Sequence, residues 1–173
     1  MPDRLDPPLG PGDHVQGPAD APLELVMYGD FQCPFCTAAQ PILTRVRQRL
    51  DGRLRFGFRH FPLRERHPDA ERAAQASEAA AAQDAFWPMH DALYGLRGRL
   101  GLEDILGAAR DIGLDADRIR ADLDAGTHAE RVRRDVESAL ATGVGGTPTF
   151  FVGGVRHEGA FDVQSLMAAL EGG

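Results

Sequence analysis

Residues 23–36 read Leu-Glu-Leu-Val-Met-Tyr-Gly-Asp-Phe-Gln-Cys-Pro-Phe-Cys, and the fold turns on them. Leu23 to Tyr28 is short and rich in apolar residues, the pattern of a buried strand. Gly29-Asp30 breaks the run. From Pro34 to about Leu50 the spacing is helical, with Ile42, Leu43 and Val46 on one side. Pro41 stands inside that pattern and removes one backbone hydrogen bond, so a kink is expected there. Leu54 to His60 then alternates apolar and polar side chains, as a strand does. Strand, helix and strand make a βαβ unit with parallel strands and a right-handed crossover. Cys33 and Cys36 fall at its strand-to-helix turn.

Working outward, Asp69 to Gly143 is almost entirely helical in pattern. Glu71 to Ala85 is rich in Ala, which permits close helix packing, and Pro88 suits the first turn of the next helix. Leu102, Ile105, Leu106, Ala109 and Ile112 form an apolar stripe, and Asp115 is placed to cap a short helix bearing Ile119 and Leu123. Thr127 and Glu130 have the spacing of a capping box for the next helix, with Val132, Val136 and Leu140 inward. The period then changes. Thr149 to Val152 reads as a strand, Gly153-Gly154 as a hairpin turn and Val155 to His157 as the return strand. Asp162 caps a last helix with Val163, Leu166, Met167 and Leu170 inward. The order βαβ, helices, ββα predicts an α/β sheet core with an inserted helical subdomain. Its parts are a polar segment over 1–16, a core over 17–66 and 144–173, and the insertion over 67–143.

Composition narrows the chemistry. The 173 residues are 43% hydrophobic, enough for a core, and the net charge is −7. A field of that sign opposes nucleic acid and anionic lipid, so neither is expected as a partner. All 19 basic residues are Arg, which excludes Schiff-base and P-loop lysines. No apolar run approaches the roughly 20 residues of a membrane span. Residues 1–22 hold no apolar signal-peptide core, so the expected location is the cytoplasm. A chain whose leader had been removed would read the same and point outside the cytoplasm.

The two cysteines are three positions apart, too close to staple distant segments, so they read as chemical rather than structural. Cys33 sits where a helix begins, and a helix N-terminus offers free N–H groups and partial positive charge, both favouring a thiolate. Cys36 is one turn further on, turned toward the protein. Cys33 is thus expected as the exposed nucleophile and Cys36 as the resolving thiol. The alternative is half of a zinc site. Four ligands are usual, and neither a second Cys pair nor a close His pair accompanies this one, so no metal is expected.

At this point the sequence resembles the thioredoxin superfamily and, within it, the DsbA-like branch. Cys33, Cys36 and Pro41 give the C-x-x-C-x4-P spacing of its active-site helix, and Asp30 to Cys36 looks like the DsbA-like motif. Phe58 to Leu63 and Phe86 to Asp91 resemble further segments, and Gly145 to Val152 looks like its cis-proline strand. The resemblance spans about Val15 to Leu170. It implies a thioredoxin fold with a helical insertion, thiol–disulfide exchange with protein, peptide or small-molecule thiols through Cys33-Pro34-Phe35-Cys36, an unidentified redox partner, and no cofactor. It also implies a cis bond at Thr147–Pro148 that presents the Thr147 backbone to substrate. Read without the resemblance, an ordinary trans Pro148 opening a strand is favoured.

Two residues depart from that pattern. Many relatives hold a buried acid six positions before the first cysteine; here Met27 stands there. Asp30 and His60 are candidate substitutes, although a turn residue and a strand-end histidine are the plainer readings. Phe35 replaces the His of strongly oxidising relatives, so with Pro34 it sets a less oxidising pair. Phe86, Trp87, Met89, Leu93 and Tyr94 read as insertion core, and Arg47, Arg49, Arg53, Arg55 and Arg59 as a solvated face. Two rival functions remain: a glutathione-dependent transferase or isomerase on the same fold, and a non-catalytic peptide-binding or chaperone module.

Overall fold

The structure is a computed structural model that describes residues 3–173. Five strands form one sheet in the order β1-β3-β2-β4-β5. They are β1 (His14–Gln16), β2 (Leu23–Gly29), β3 (Leu54–His60), β4 (Thr149–Val152) and β5 (Val155–Arg156). β2 and β3 run parallel through α1 (Pro34–Arg49), so the βαβ unit forms as the pattern predicts. β4 returns antiparallel beside β2 and turns through Gly153-Gly154 into β5; both glycines have positive φ, which a tight hairpin turn demands. This is a thioredoxin-like α/β core.

Between β3 and β4 lie α2 (Ala70–Ala81), α3 (Phe86–Gly95), α4 (Leu102–Asp111), α5 (Ala116–Ala125) and α6 (Ala129–Ala141); α7 (Val163–Glu171) ends the chain. Alternation along β2 divides the core. Leu25 and Met27 face a large cluster with α1, α7 and the inserted helices, while Val26 and Tyr28 face a smaller one with Phe151, Ala139 and Val144. Asp115 and Asp162 cap α5 and α7, accepting from the Arg118 and Ser165 amides. Pro41 lies inside α1.

Four expectations need correcting. The Thr127–Glu130 capping box does not form: the N-cap of α6 is His128, which makes no side-chain capping bond. Gly126 takes the left-handed conformation and draws the Thr127 amide back to Asp122 O at 3.0 Å, so Thr127 finishes α5 instead. Arg59 is 2% exposed, not on a solvated face. The N-terminal segment covers that side: β1 pairs with β3, Leu5 is buried, and Arg59 reaches both Asp13 oxygens at 2.9 Å and Pro7 O at 2.8 Å. Leu140 is 63% exposed rather than inward; Ala139 holds the buried position at that end of α6. The fourth concerns Cys33, below.

Candidate active site

The chain leaves β2 at Gly29 and must turn into α1 within a few residues. Asp30 makes that turn. It is 1% exposed; its Oδ1 accepts from the amides of Gln32 (2.7 Å) and Cys33 (3.2 Å). Its Oδ2 accepts from the Leu63 amide (2.9 Å) and pairs with His67 Nδ1 (2.8 Å). One carboxylate therefore holds both the cysteine turn and the segment that leads into the insertion. Cys33 is the N-cap of α1 and Pro34 opens the helix, where its missing N–H costs nothing.

Both thiols are free. Cys33 is only 3% exposed, against the expectation of an exposed nucleophile; the exposed members of the motif are Pro34 and Phe35, the latter at 64%. The cap position tucks the sulfur under the turn and against the Thr147 carbonyl, to which it donates at 3.6 Å. Its pKa is nonetheless lowered to about 5. A hydrogen bond from the Cys36 thiol contributes most, outweighing the cost of burial. The Thr147 side chain and the amides of Cys36 and Phe35 add to it. Cys36 is fully buried, and burial together with the neighbouring Cys33 charge pushes its thiol far up. The geometry separates a ready thiolate from a protonated partner on one helical turn.

Thr147–Pro148 is cis, and Thr147 brings its carbonyl to Cys33. Its hydroxyl is buried and has no hydrogen-bonding oxygen or nitrogen among the described residues. Sequence reasoning assigned Thr147 only its backbone, because nothing in the pattern reveals where a hydroxyl before a proline will point.

His60 pairs with Gly29 across the sheet but turns its ring to other partners. Its ring bonds Glu78 at 2.8 Å and its amide donates to Asp135 at 3.0 Å; neither is local in sequence, and its hydrogen bonds do not go to the cysteines. His14 bonds the same Glu78 oxygen at 2.7 Å. Burial pushes the Glu78 carboxyl up, but the bonds from His14 and His60 outweigh it and hold it below the usual carboxylate range. Ligand atoms of His14, His60 and Glu78 lie within 4.8 Å of one another, a spacing a metal ion can use. That carboxylate already accepts from both rings and faces the Arg131 guanidinium at 3.5 Å, while Arg131 also pairs with Asp135 at 2.7 Å.

Comparison with solved structures finds the same fold. BdbD from Bacillus subtilis superposes with a TM-score of 0.85 at 23% identity, over 93% of this chain and 92% of that one. A thioredoxin-like oxidoreductase from Silicibacter pomeroyi gives 0.83 at 26% identity, over 94% and 92%. The α-DsbA1 of Wolbachia pipientis gives 0.82 at 19%, over 95% and 92%. Among curated relatives, the Na(+)/H(+) antiporter NhaA 1 of Salinispora arenicola is 46% identical over 91% of this chain but only 24% of its own length. The Na(+)/H(+) antiporter NhaA of Herminiimonas arsenicoxydans is 44% identical over 99% of this chain and 27% of its own. The chain thus spans about a quarter of the length of these relatives, and the antiporter name belongs to the longer proteins. Among the described residues no helix is long and apolar enough to cross a membrane. The model of the DSBA-like thioredoxin domain matches residues 24–171, and with that match the chain belongs to the DSBA-like thioredoxin domain family.

Proposed function

We propose that the chain exchanges disulfides with protein or small-molecule thiols through Cys33 and Cys36. One observation carries this reading: Cys33, at the start of α1, has a pKa lowered to about 5 beside a Cys36 whose proton is retained. The thiolate is the attacking species in exchange. In the reducing direction Cys33 attacks a substrate disulfide, forms a mixed disulfide and expels a substrate thiolate; Cys36 then attacks Cys33 and releases the second. In the oxidising direction a substrate thiolate attacks Cys33 of the Cys33–Cys36 disulfide and Cys36 leaves; a second substrate thiolate resolves the mixed disulfide. Electrons pass only between sulfur atoms, and a redox partner that brings a thiol or a disulfide must restore the pair after each round.

Thr147 and Pro148 flank Cys33 and form the proposed seat for an extended peptide, with the exposed Phe35 beside it. Asp30 sets the geometry of the turn. Glutathione conjugation and passive peptide binding are the rival outcomes. The transport named for the longer relatives is not carried over. The proposed compartment follows the potential: a moderate pair in a glutathione pool of roughly −220 to −260 mV rests largely as the dithiol, which suits cytoplasmic reductase work.

The test uses the chain with reduced glutathione and a disulfide-bonded protein substrate. The wild type should catalyse exchange, Cys33→Ser should lose it, and Cys36→Ser should accumulate mixed disulfides through Cys33. Inactive wild type, or full activity in Cys33→Ser, overturns the proposal. Retained aggregation suppression by Cys33→Ser, with no exchange by the wild type, would instead favour a peptide-binding module.

A further inference from the structure

The turn that carries Cys33 is held by a side chain to which the exchange steps give no role. His67 stands in the link between β3 and α2, just ahead of the first inserted helix, with its side chain 18% exposed. Its Nδ1 lies 2.8 Å from Asp30 Oδ2. The Asp30 side chain is fully buried, and three backbone amides also reach it. Leu63 donates to the same Oδ2 at 2.9 Å, while Gln32 and Cys33 donate to Oδ1 at 2.7 and 3.2 Å. Four N–H groups thus converge on one carboxylate, and among the described residues His67 supplies the one that comes from a side chain. The imidazole is itself anchored: the His67 amide donates to Leu63 O at 2.8 Å, and the His67 carbonyl accepts from the Ala70 amide at 3.1 Å, where α2 begins. Gln32 adds a second tie to the same link, its Oε1 accepting from the Asp69 amide at 2.9 Å.

Resting on the exchange reading, we infer that His67 is a positioning residue for Cys33, acting through the Asp30 carboxylate. The Cys33 amide donates to Asp30 at two places, the backbone O at 3.1 Å and Oδ1 at 3.2 Å. Those bonds fix the orientation of Cys33 as the N-cap of α1. A side chain at that position faces the amides of the second and third helical residues, here Phe35 and Cys36, and both favour a thiolate. How squarely the sulfur meets them depends on the turn that Asp30 holds. The carboxylate has a second effect: its negative charge stands one hydrogen bond from the Cys33 backbone and opposes a thiolate there. His67 counters both risks. Its N–H draws charge toward Oδ2, and with the Leu63 amide it keeps Oδ1 turned to Gln32 and Cys33. Without the imidazole, Oδ2 keeps the Leu63 amide alone, the carboxyl is freer to rotate, and its charge is less compensated beside Cys33. Each change destabilises the thiolate relative to the uncharged disulfide.

Equilibration of the full chain in glutathione buffers, with the dithiol counted by alkylation, tests this. His67→Leu removes the donor, and its equilibrium should shift toward the disulfide by roughly threefold to a hundredfold, the range for groups coupled in one hydrogen-bond network. That is a potential more negative by about 15 to 60 mV, at about 30 mV per tenfold. His67→Asn carries an N–H donor on the same Cγ that bears Nδ1, and should recover most of the shift. His67→Gln, with its nitrogen one bond further out, should behave as His67→Leu and carries the comparison if the leucine variant does not fold. With Asp30→Asn already in place, removing His67 should change the equilibrium less than about twofold, because the path to Cys33 is gone. Three results would overturn the inference while leaving the exchange reading intact: a shift under about twofold in His67→Leu, equal shifts in the leucine and asparagine variants, or the same shift with and without Asp30→Asn. Wild type that does not equilibrate with glutathione at all would instead remove the exchange reading.

Discussion

The Thr147 carbonyl oxygen lies 3.6 Å from the Cys33 sulfur and accepts from its thiol, while the hydroxyl of the same residue is buried without an oxygen or nitrogen partner. When Cys33 ionises the carbonyl contact loses its hydrogen, and the hydroxyl becomes the useful group because it can donate to the thiolate. Thr147→Val keeps the side-chain shape and deletes that donor. The Cys33 pKa should rise, and the reduction potential should become more negative by about 30 mV for each tenfold loss of thiolate stabilisation. Ultraviolet titration of the thiolate, with a glutathione equilibrium, measures both. An unchanged pKa would show that the hydroxyl does not serve the sulfur.

The Cys36 thiol contributes the largest share of Cys33 acidity. Titrating the reduced wild type should therefore give a Cys33 pKa of about 5, and Cys36→Ala should move it upward because the donor is lost. A wild-type value at or above the free-thiol value of about 8.5 contradicts the assignment of Cys33 as nucleophile. A value in Cys36→Ala as low as wild type would instead assign the effect to the helix amides.

The same titration governs stability of the dithiol form. Cys33 ionises at about 5 in the folded protein and at about 8.5 in the unfolded chain. Between these values the unfolded chain binds the extra proton, so the stability of the reduced protein rises with pH across that window and is lost as pH falls through about 5. Cys36 works the other way: held protonated when folded, it reduces stability as pH rises beyond about 8.5. Denaturant unfolding of reduced and oxidised forms, compared at several pH values, isolates these terms because the disulfide form lacks both. A reduced-minus-oxidised stability that is flat with pH would refute the perturbed thiol pair.

Arg59 and Asp13 test the role of the N-terminal segment. The guanidinium is 2% exposed and bidentate to Asp13. Asp13→Ala leaves a buried cation with its main counter-charge gone, and should destabilise the protein by about 3–5 kcal/mol. The double variant Asp13→Leu with Arg59→Leu removes both charges and should recover much of that loss. Chemical denaturation of the three proteins decides; a loss under about 1 kcal/mol for Asp13→Ala would place the pair in water.

The βαβ unit, the helical insertion and the final hairpin with its helix were legible because each rests on local periodicity or on a glycine or aspartate with one job. Cys33 and Cys36 were legible for the same reason, as their spacing places both at one helix start. What escaped is made by contacts distant in sequence. β1 is three residues long and stands in a polar segment, so no pattern announces it. Arg59 alternates like a solvent-facing strand residue and is buried only because residues from the N-terminus cross over it. His60 looks local, yet its partner Glu78 lies on α2. Cys33 lost its expected exposure because the cap position turns it toward Thr147, a residue 114 positions away.

The reduction potential of the Cys33–Cys36 pair tests the central claim most directly. Thiolate stabilisation sets the poise, and a Cys33 pKa of about 5 falls between roughly 7 for thioredoxin and 3.5 for DsbA. Phe35 is 64% exposed and adds no charge to the thiolate, and the buried Met27 cannot relay a proton. Equilibration in glutathione buffers, with the dithiol counted by alkylation, should give roughly −150 to −250 mV, between about −270 mV for thioredoxin and −120 mV for DsbA. Phe35→His should raise it. A pair that does not equilibrate with glutathione, or one poised near −120 mV with Phe35 in place, would contradict the account.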